Sequence, residues 1–136
     1  MTSRRKDVRI RRSTADRMVK ELQERILEIN SDDRYAYKVG RAVIFGSYVN
    51  SDCDTLGDID VGYLLEKRFS DRARHESLVE SIRRNHRCSD WLLRLAWPME
   101  EVVRRIRNRS GYISLHPIGT KEDEAIFSKE WMELKV

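Results

Sequence analysis

The stretch that most constrains this chain is Val43 to Leu65, VIFGSYVNSDCDTLGDIDVGYLL. Its apolar run Val43-Ile44-Phe45 stops at Gly46-Ser47, and after a ten-residue spacer comes Asp58-Ile59-Asp60-Val61. In an extended segment successive side chains alternate faces, so Asp58 and Asp60 share one face, roughly 6.6 Å apart along the strand. Ile59 and Val61 then point the other way, into a core. Two carboxylates held that close repel each other, and a divalent cation relieves the repulsion. Mg²⁺ suits the role because it prefers oxygen ligands and binds through one or two carboxylates together with substrate phosphates. Gly46 permits a sharp turn and a close backbone approach. A helix beginning at Ser47 would aim free N–H groups and its dipole at a phosphate, with the Ser47 hydroxyl as a further donor. The segment therefore reads as a phosphate-and-metal site.

This arrangement resembles the nucleotidyltransferase superfamily related to DNA polymerase beta. The signature there is an apolar residue, Gly-Ser, a spacer of about this length, then Asp-x-Asp with apolar neighbours. Phe45-Gly46-Ser47 and Asp58-Ile59-Asp60-Val61 fit it position by position, and the match spans about a sixth of the chain. The resemblance implies an α/β fold in which a small mixed sheet is flanked by helices. It implies an NTP substrate and Mg²⁺ (or Mn²⁺) as cofactor, with Asp58 and Asp60 as catalytic metal ligands and Gly46 and Ser47 against the nucleotide phosphates. It also implies a third carboxylate on a later strand, assisting a second metal. The clearest later strand, Tyr112 to His116, offers Ser114 where an Asp is wanted, with His116 on the same face. Histidine is an indifferent Mg²⁺ ligand. Asp90 is the competing candidate if Ser89 to Leu93 is a strand, whereas the Trp91, Leu92, Leu95 spacing argues for a helix that Ser89-Asp90 would cap. The third position stays open between Asp90, His116 and no carboxylate at all.

At 136 residues the chain is expected to form one domain over residues 13–136, preceded by a basic, flexible tail at 1–12. Of a net charge of +4, residues 1–12 carry +5, since Arg4, Arg5, Lys6, Arg9, Arg11 and Arg12 face only Asp7; the remainder sums to −1. Such a tail either contacts nucleic acid or another acidic partner, or is a frayed, solvated terminus. A second basic region, residues 83–109, holds Arg83, Arg84, Arg87, Arg94, Arg104, Arg105, Arg107 and Arg109. Arginine forks phosphate bidentately, so this region could hold a triphosphate or a nucleic-acid backbone; alternatively these side chains answer helix C-terminal dipoles and stay solvated. No apolar run approaches the ~20 residues of a membrane span, and no secretory h-region is present. Cys53 and Cys88 form no metal-ligand spacing and read as two free thiols of a cytoplasmic protein.

Along the chain, Ser13 or Thr14 would cap a first helix, with Asp16 in its first turn and Met18, Val19, Leu22, Ile26 and Ile29 as its stripe, ending near Asn30 to Asp33. Tyr35 to Phe45 reads as a strand that Gly40-Arg41 interrupts. The spacer reads as a short helical turn and a loop, and Asp58 to Leu65 as the second strand. Arg72 to His86 is helical, with Leu78, Val79 and Ile82 as its stripe. A helix from Trp91 should break at Pro98, where a new one would start and run to Asn108. Tyr112 to His116 is a third strand. Thr120 and Asp123 would open a closing helix carrying Ile126, Phe127, Trp131 and Leu134.

Three functions compete at this level. An enzyme would transfer a nucleoside monophosphate from an NTP to a hydroxyl of protein, RNA or a small molecule; the resemblance adds a setting in a toxin–antitoxin or defence pair with a protein partner. A binding module would keep the fold and hold nucleotide, nucleic acid or a partner protein without turnover. A structural subunit would dimerise through Phe127 and Trp131.

Overall fold

The computed structural model describes residues 8–119, 127 and 129–136. It is a mixed α/β fold. In chain order the elements are β1 (Ile10–Arg11), α1 (Arg12–Ser31), β2 (Tyr37–Phe45), α2 (Ser47–Asn50), β3 (Thr55–Leu56), β4 (Ile59–Lys67), α3 (Arg72–Asn85), α4 (Trp91–Arg107), β5 (Ile113–Pro117) and β6 (Met132–Glu133). The main sheet has the order β5-β4-β2-β6, and a separate ribbon pairs β1 with β3. β2 is antiparallel to both β4 and β6, while β4 and β5 run parallel. The parallel step is made by the long crossover through α3 and α4, as parallel neighbours require.

A bulge sets the sheet's two faces. The β2–β4 register passes from Val39 opposite Leu65 to Arg41 opposite Leu64, skipping Gly40. Strict alternation would put Val39 on the face of Val43 and Phe45. The extra residue reverses the parity, so Val39 joins Ala42 and Ile44 in one cluster while Val43 and Phe45 join another. The first cluster packs Leu22, Ile26 and Ile29 of α1 and Val102 and Ile106 of α4 against Ile59 and Val61. The second, smaller one packs Phe127 and Ile118 over Val43 and Phe45. A side chain at Gly62 would meet Val43 at 3.0 Å and Ile118 at 3.1 Å, so glycine lets this second layer close onto β4.

Several local expectations change. α1 starts at Arg12 with no side-chain cap, so neither Ser13 nor Thr14 caps it. The reason lies upstream: Ile10–Arg11 pairs with Thr55–Leu56, and the Arg12 guanidinium donates to the carbonyls of Tyr48, Ser51 and Cys53. Arg9 likewise donates to Thr55. The folded part thus begins inside the expected tail, and residues 1–7 lie outside the described residues. α4 runs unbroken through Pro98. Proline removes one helical N–H, and the neighbouring Leu95 carbonyl accepts from Arg83 of α3 at 2.9 and 3.1 Å. Pro98 itself is buried. Thr120 and Asp123 lie outside the described residues, but Met132–Glu133 is a strand beside β2 rather than the end of a closing helix. Phe127 is buried in the second cluster, which withdraws it from any dimer surface. Among the described residues no helix is long and apolar enough to cross a membrane.

Glu101 of α4 stands far from the ordinary carboxylate range. Burial, then the charge of Asp32, push its carboxyl up to about 7, and its Oε2 is buried without a hydrogen-bond partner. Its folded pKa lies above the unfolded value, so stability falls as pH rises from about 4.5 to about 7 and is flat beyond. We expect Glu101→Gln to abolish that fall. The variant should match wild type near pH 4.5 and exceed it above pH 7 by on the order of 1 kcal/mol, allowing for solvent screening. Urea unfolding at the two pH values checks this; equal slopes in both proteins would refute it.

Candidate functional site

At the end of β2 the chain must leave the sheet without colliding with β4. Phe45 stands opposite Asp60 in the antiparallel register. The next residue, Gly46, has φ 76° and ψ −153°, a region open essentially to glycine alone. A Cβ there would collide with Asp60 Oδ2. The glycine therefore serves both the turn and the close approach, and it seats the Asp60 carboxylate against the start of α2. Ser47 opens α2, whose first captured N–H is that of Val49, bonded to the Gly46 carbonyl. The N–H groups of Ser47 and Tyr48 belong to the first turn, where a helix has no acceptor of its own.

Asp60 lies on the face of Phe45, opposite the face packed by α1 and α4. Asp58 sits just before β4, close enough that its charge raises the Asp60 pKa. Desolvation is the largest cause of that rise, Asp58 the next, and a contact with His116 opposes both. β5 supplies the remaining side chains. Ser114 stands opposite Asp60 and His116 opposite Gly62 in the parallel register. His116 Nε2 lies 3.2 Å from Asp60 Oδ1 and 3.2 Å from Ser114 Oγ. Both contacts use the same ring nitrogen, so the three residues are not a hydroxyl–imidazole–carboxylate relay, which needs both nitrogens of the ring. Phe45 packs its ring edge-on against His116, centroids 5.3 Å apart.

Gly46, Ser47, Asp58, Asp60 and His116 thus gather at one end of the sheet. Asp90 does not join them through a strand. It is the N-cap of α4, its Oδ1 accepting from Leu92 N at 3.0 Å and Leu93 N at 3.4 Å. The helical alternative prevails there because the cap satisfies two N–H groups that a strand start would leave to solvent. Among the described residues no group of three or more His, Cys, Asp and Glu side chains is drawn together tightly enough to hold a metal ion. Two carboxylates are the donor type that a divalent cation takes, while the raised Asp60 pKa reflects desolvation first and the charge of Asp58 second. Asp58 and Asp60 are the residues that would hold such a cation.

Sequence reasoning missed what braces the spacer. Tyr48 donates its hydroxyl to Asp16 Oδ1 at 2.7 Å, and Arg12 holds three carbonyls of α2 and the loop after it. The sequence expected Asp16 in the first turn of the helix, but α1 begins at Arg12 and places Asp16 beyond that turn, and only the tertiary fold brings it to Tyr48. No family model matches the chain, and no curated protein or solved structure matches it either.

Two outcomes are expected from this geometry. Gly46→Ala should destabilise the fold by about 1–3 kcal/mol through backbone strain and displace the Asp60 carboxylate, as chemical denaturation and a crystal structure of the variant would reveal. His116→Ala should raise the Asp60 pKa further, because it deletes the contribution that lowers it. A carboxyl ¹³C titration that leaves Asp60 unmoved or lowers it would count against the arrangement.

Proposed function

We propose that the chain is a nucleotidyltransferase-type enzyme, transferring a nucleoside monophosphate from an NTP to an acceptor hydroxyl. The observation that supports this most is the seating of the Asp60 carboxylate against Gly46, with Asp58 beside it and the Ser47 end of α2 facing the same corner. In that reaction the acceptor oxygen attacks the α-phosphorus and loses its proton, the bond to the bridging oxygen breaks, and pyrophosphate leaves. Asp58 and Asp60 would hold Mg²⁺ or Mn²⁺, which when bound neutralises charge on the phosphoryl oxygens. Backbone N–H groups at Ser47 and Tyr48 and the Ser47 hydroxyl orient the β- and γ-phosphates, and the positive φ of Gly46 keeps side-chain bulk out of their way. Phe45 stands opposite Asp60 in the register, and burial raises the cost of ionising that acid.

A second reading rests on β5. Where the resemblance wants a third carboxylate, the strand carries Ser114 and His116, and His116 engages Asp60 Oδ1. A site so arranged suits retention of a nucleotide without turnover, the binding-module alternative. A partner protein in a toxin–antitoxin or defence pair, and a cytoplasmic setting, are compatible with either reading.

Incubation with α-labelled NTPs and Mg²⁺ or Mn²⁺ in a cell lysate separates the two. We expect wild type to transfer label to a macromolecule or small-molecule acceptor and Asp60→Ala to lose at least ~100-fold of that rate, the scale of losing one electrostatic stabiliser of a transition state. Saturable NTP binding with no transfer under any of these conditions would replace the enzyme by the binding module.

A further inference from the structure

α4 carries another surface besides its buried stripe of Pro98, Val102 and Ile106. Trp97, Glu101, Arg104, Arg105 and Asn108 recur at helical spacing and, with Tyr35 and the loop after the helix, enclose a groove of about 650 Å³. Arg107 and Arg109 complete its basic wall. It lies with the helices, on the other side of the sheet from the face that carries Asp60.

The groove's positive charge is not cancelled locally. Its lining carboxylates are Glu100 and Glu101. Glu100 is taken by Arg104 at 3.0 Å, and Arg105 reaches outward to Glu28 at 3.1 Å. Glu101, with its carboxyl raised to about 7, is only partly ionised at neutral pH. Arg107 and Arg109 are exposed and make no ion pair among the described residues. Arg25, buried beneath this end of α4, donates to the Ile106 carbonyl and has its pKa lowered by desolvation and then by the charge of Arg105. Like charges are therefore packed together here; Glu100 and Glu28 each pair with one arginine, while Arg107 and Arg109 have no acid partner among the described residues. A role limited to the helix dipole does not account for the whole set, since Arg109 lies beyond the C-cap residue Asn108 and is held at φ 60° on the connecting loop.

Aromatic surface is interleaved with this charge. Trp97 has His86 stacked on it at 3.8 Å, ring planes 9° apart, and the Arg104 guanidinium lies 5.1 Å from its ring centre. Arginines alternating with flat rings are the means by which proteins hold unpaired nucleic-acid strands: guanidinium groups track phosphates while bases stack on rings and guanidinium planes. We propose that this groove binds a single-stranded polynucleotide, with phosphates against Arg105, Arg107 and Arg109 and bases against Tyr35 and the Arg104 guanidinium that Trp97 backs. The site needs neither an NTP nor a metal, so it is separable from the transfer chemistry at Asp60.

The test uses the full chain, short fluorescein-labelled oligo(U) and oligo(dT), and anisotropy in EDTA. Wild type should bind in a salt-sensitive manner, and a preference for one oligonucleotide tells RNA from DNA. The exposed pair Arg107→Gln/Arg109→Gln should weaken binding about tenfold and flatten the plot of log K against log salt by roughly 1.4, at ~0.7 for each phosphate of a single strand that is no longer neutralised. Asp60→Ala should leave the affinity unchanged within about twofold, since distant sites act additively. Circular dichroism confirms that each variant is folded. The proposal is overturned if wild type binds neither oligonucleotide, if polyglutamate competes as well as the unlabelled strand, which would indicate an acidic protein partner, or if deletion of residues 1–7 abolishes binding while the double variant retains it.

Discussion

The antiparallel pairing that sets Phe45 opposite Asp60 governs the rest of the molecule, because it brings two sequence-distant features to one corner. β2 ends there, and its exit is possible only through a glycine at positive φ whose missing side chain leaves room for the Asp60 carboxylate. Had the register slipped by one residue, Asp60 would face α1 and α4 in the main core, where an ionised acid is costly. The bulge at Gly40 keeps the arrangement consistent over the length of β2, reversing parity so that Val39 and Ile44 share the core face.

What that corner gains in position it loses in electrostatic comfort. Asp60 is partly desolvated, sees Asp58, and receives a compensating contact from His116. A fold selected for stability alone would place a neutral residue at that spot. The helical side shows the opposite imbalance, with arginines in excess of the acids near them. The two surfaces are separated by the sheet.

α4 shows how tertiary contacts override local rules. Proline inside a helix should end it, yet Pro98 is buried, and Arg83 of the neighbouring helix takes up the Leu95 carbonyl beside it. Likewise Arg9 and Arg12 look like members of a solvated tail until the Ile10–Arg11 ribbon carries them onto the loop after α2. In the second case a guanidinium satisfies backbone carbonyls that local secondary structure leaves open.

The sequence by itself determined the mixed α/β character, the helical stripe of α1, an irregularity at Gly40-Arg41 inside β2, and the Gly46-Ser47 turn at a strand end. Those features depend on the local period of apolar residues and on glycine's conformational freedom, which neighbours in sequence are enough to specify. Only the tertiary structure decided that Asp60 meets Gly46, that His116 and Ser114 lie beside Asp60, that α4 survives Pro98, that the final segment is a strand, and that the Glu101 Oε2 is buried. Each of these depends on contacts between residues far apart in the chain. Their energies come from burial and from hydrogen bonds to partners that no local window contains.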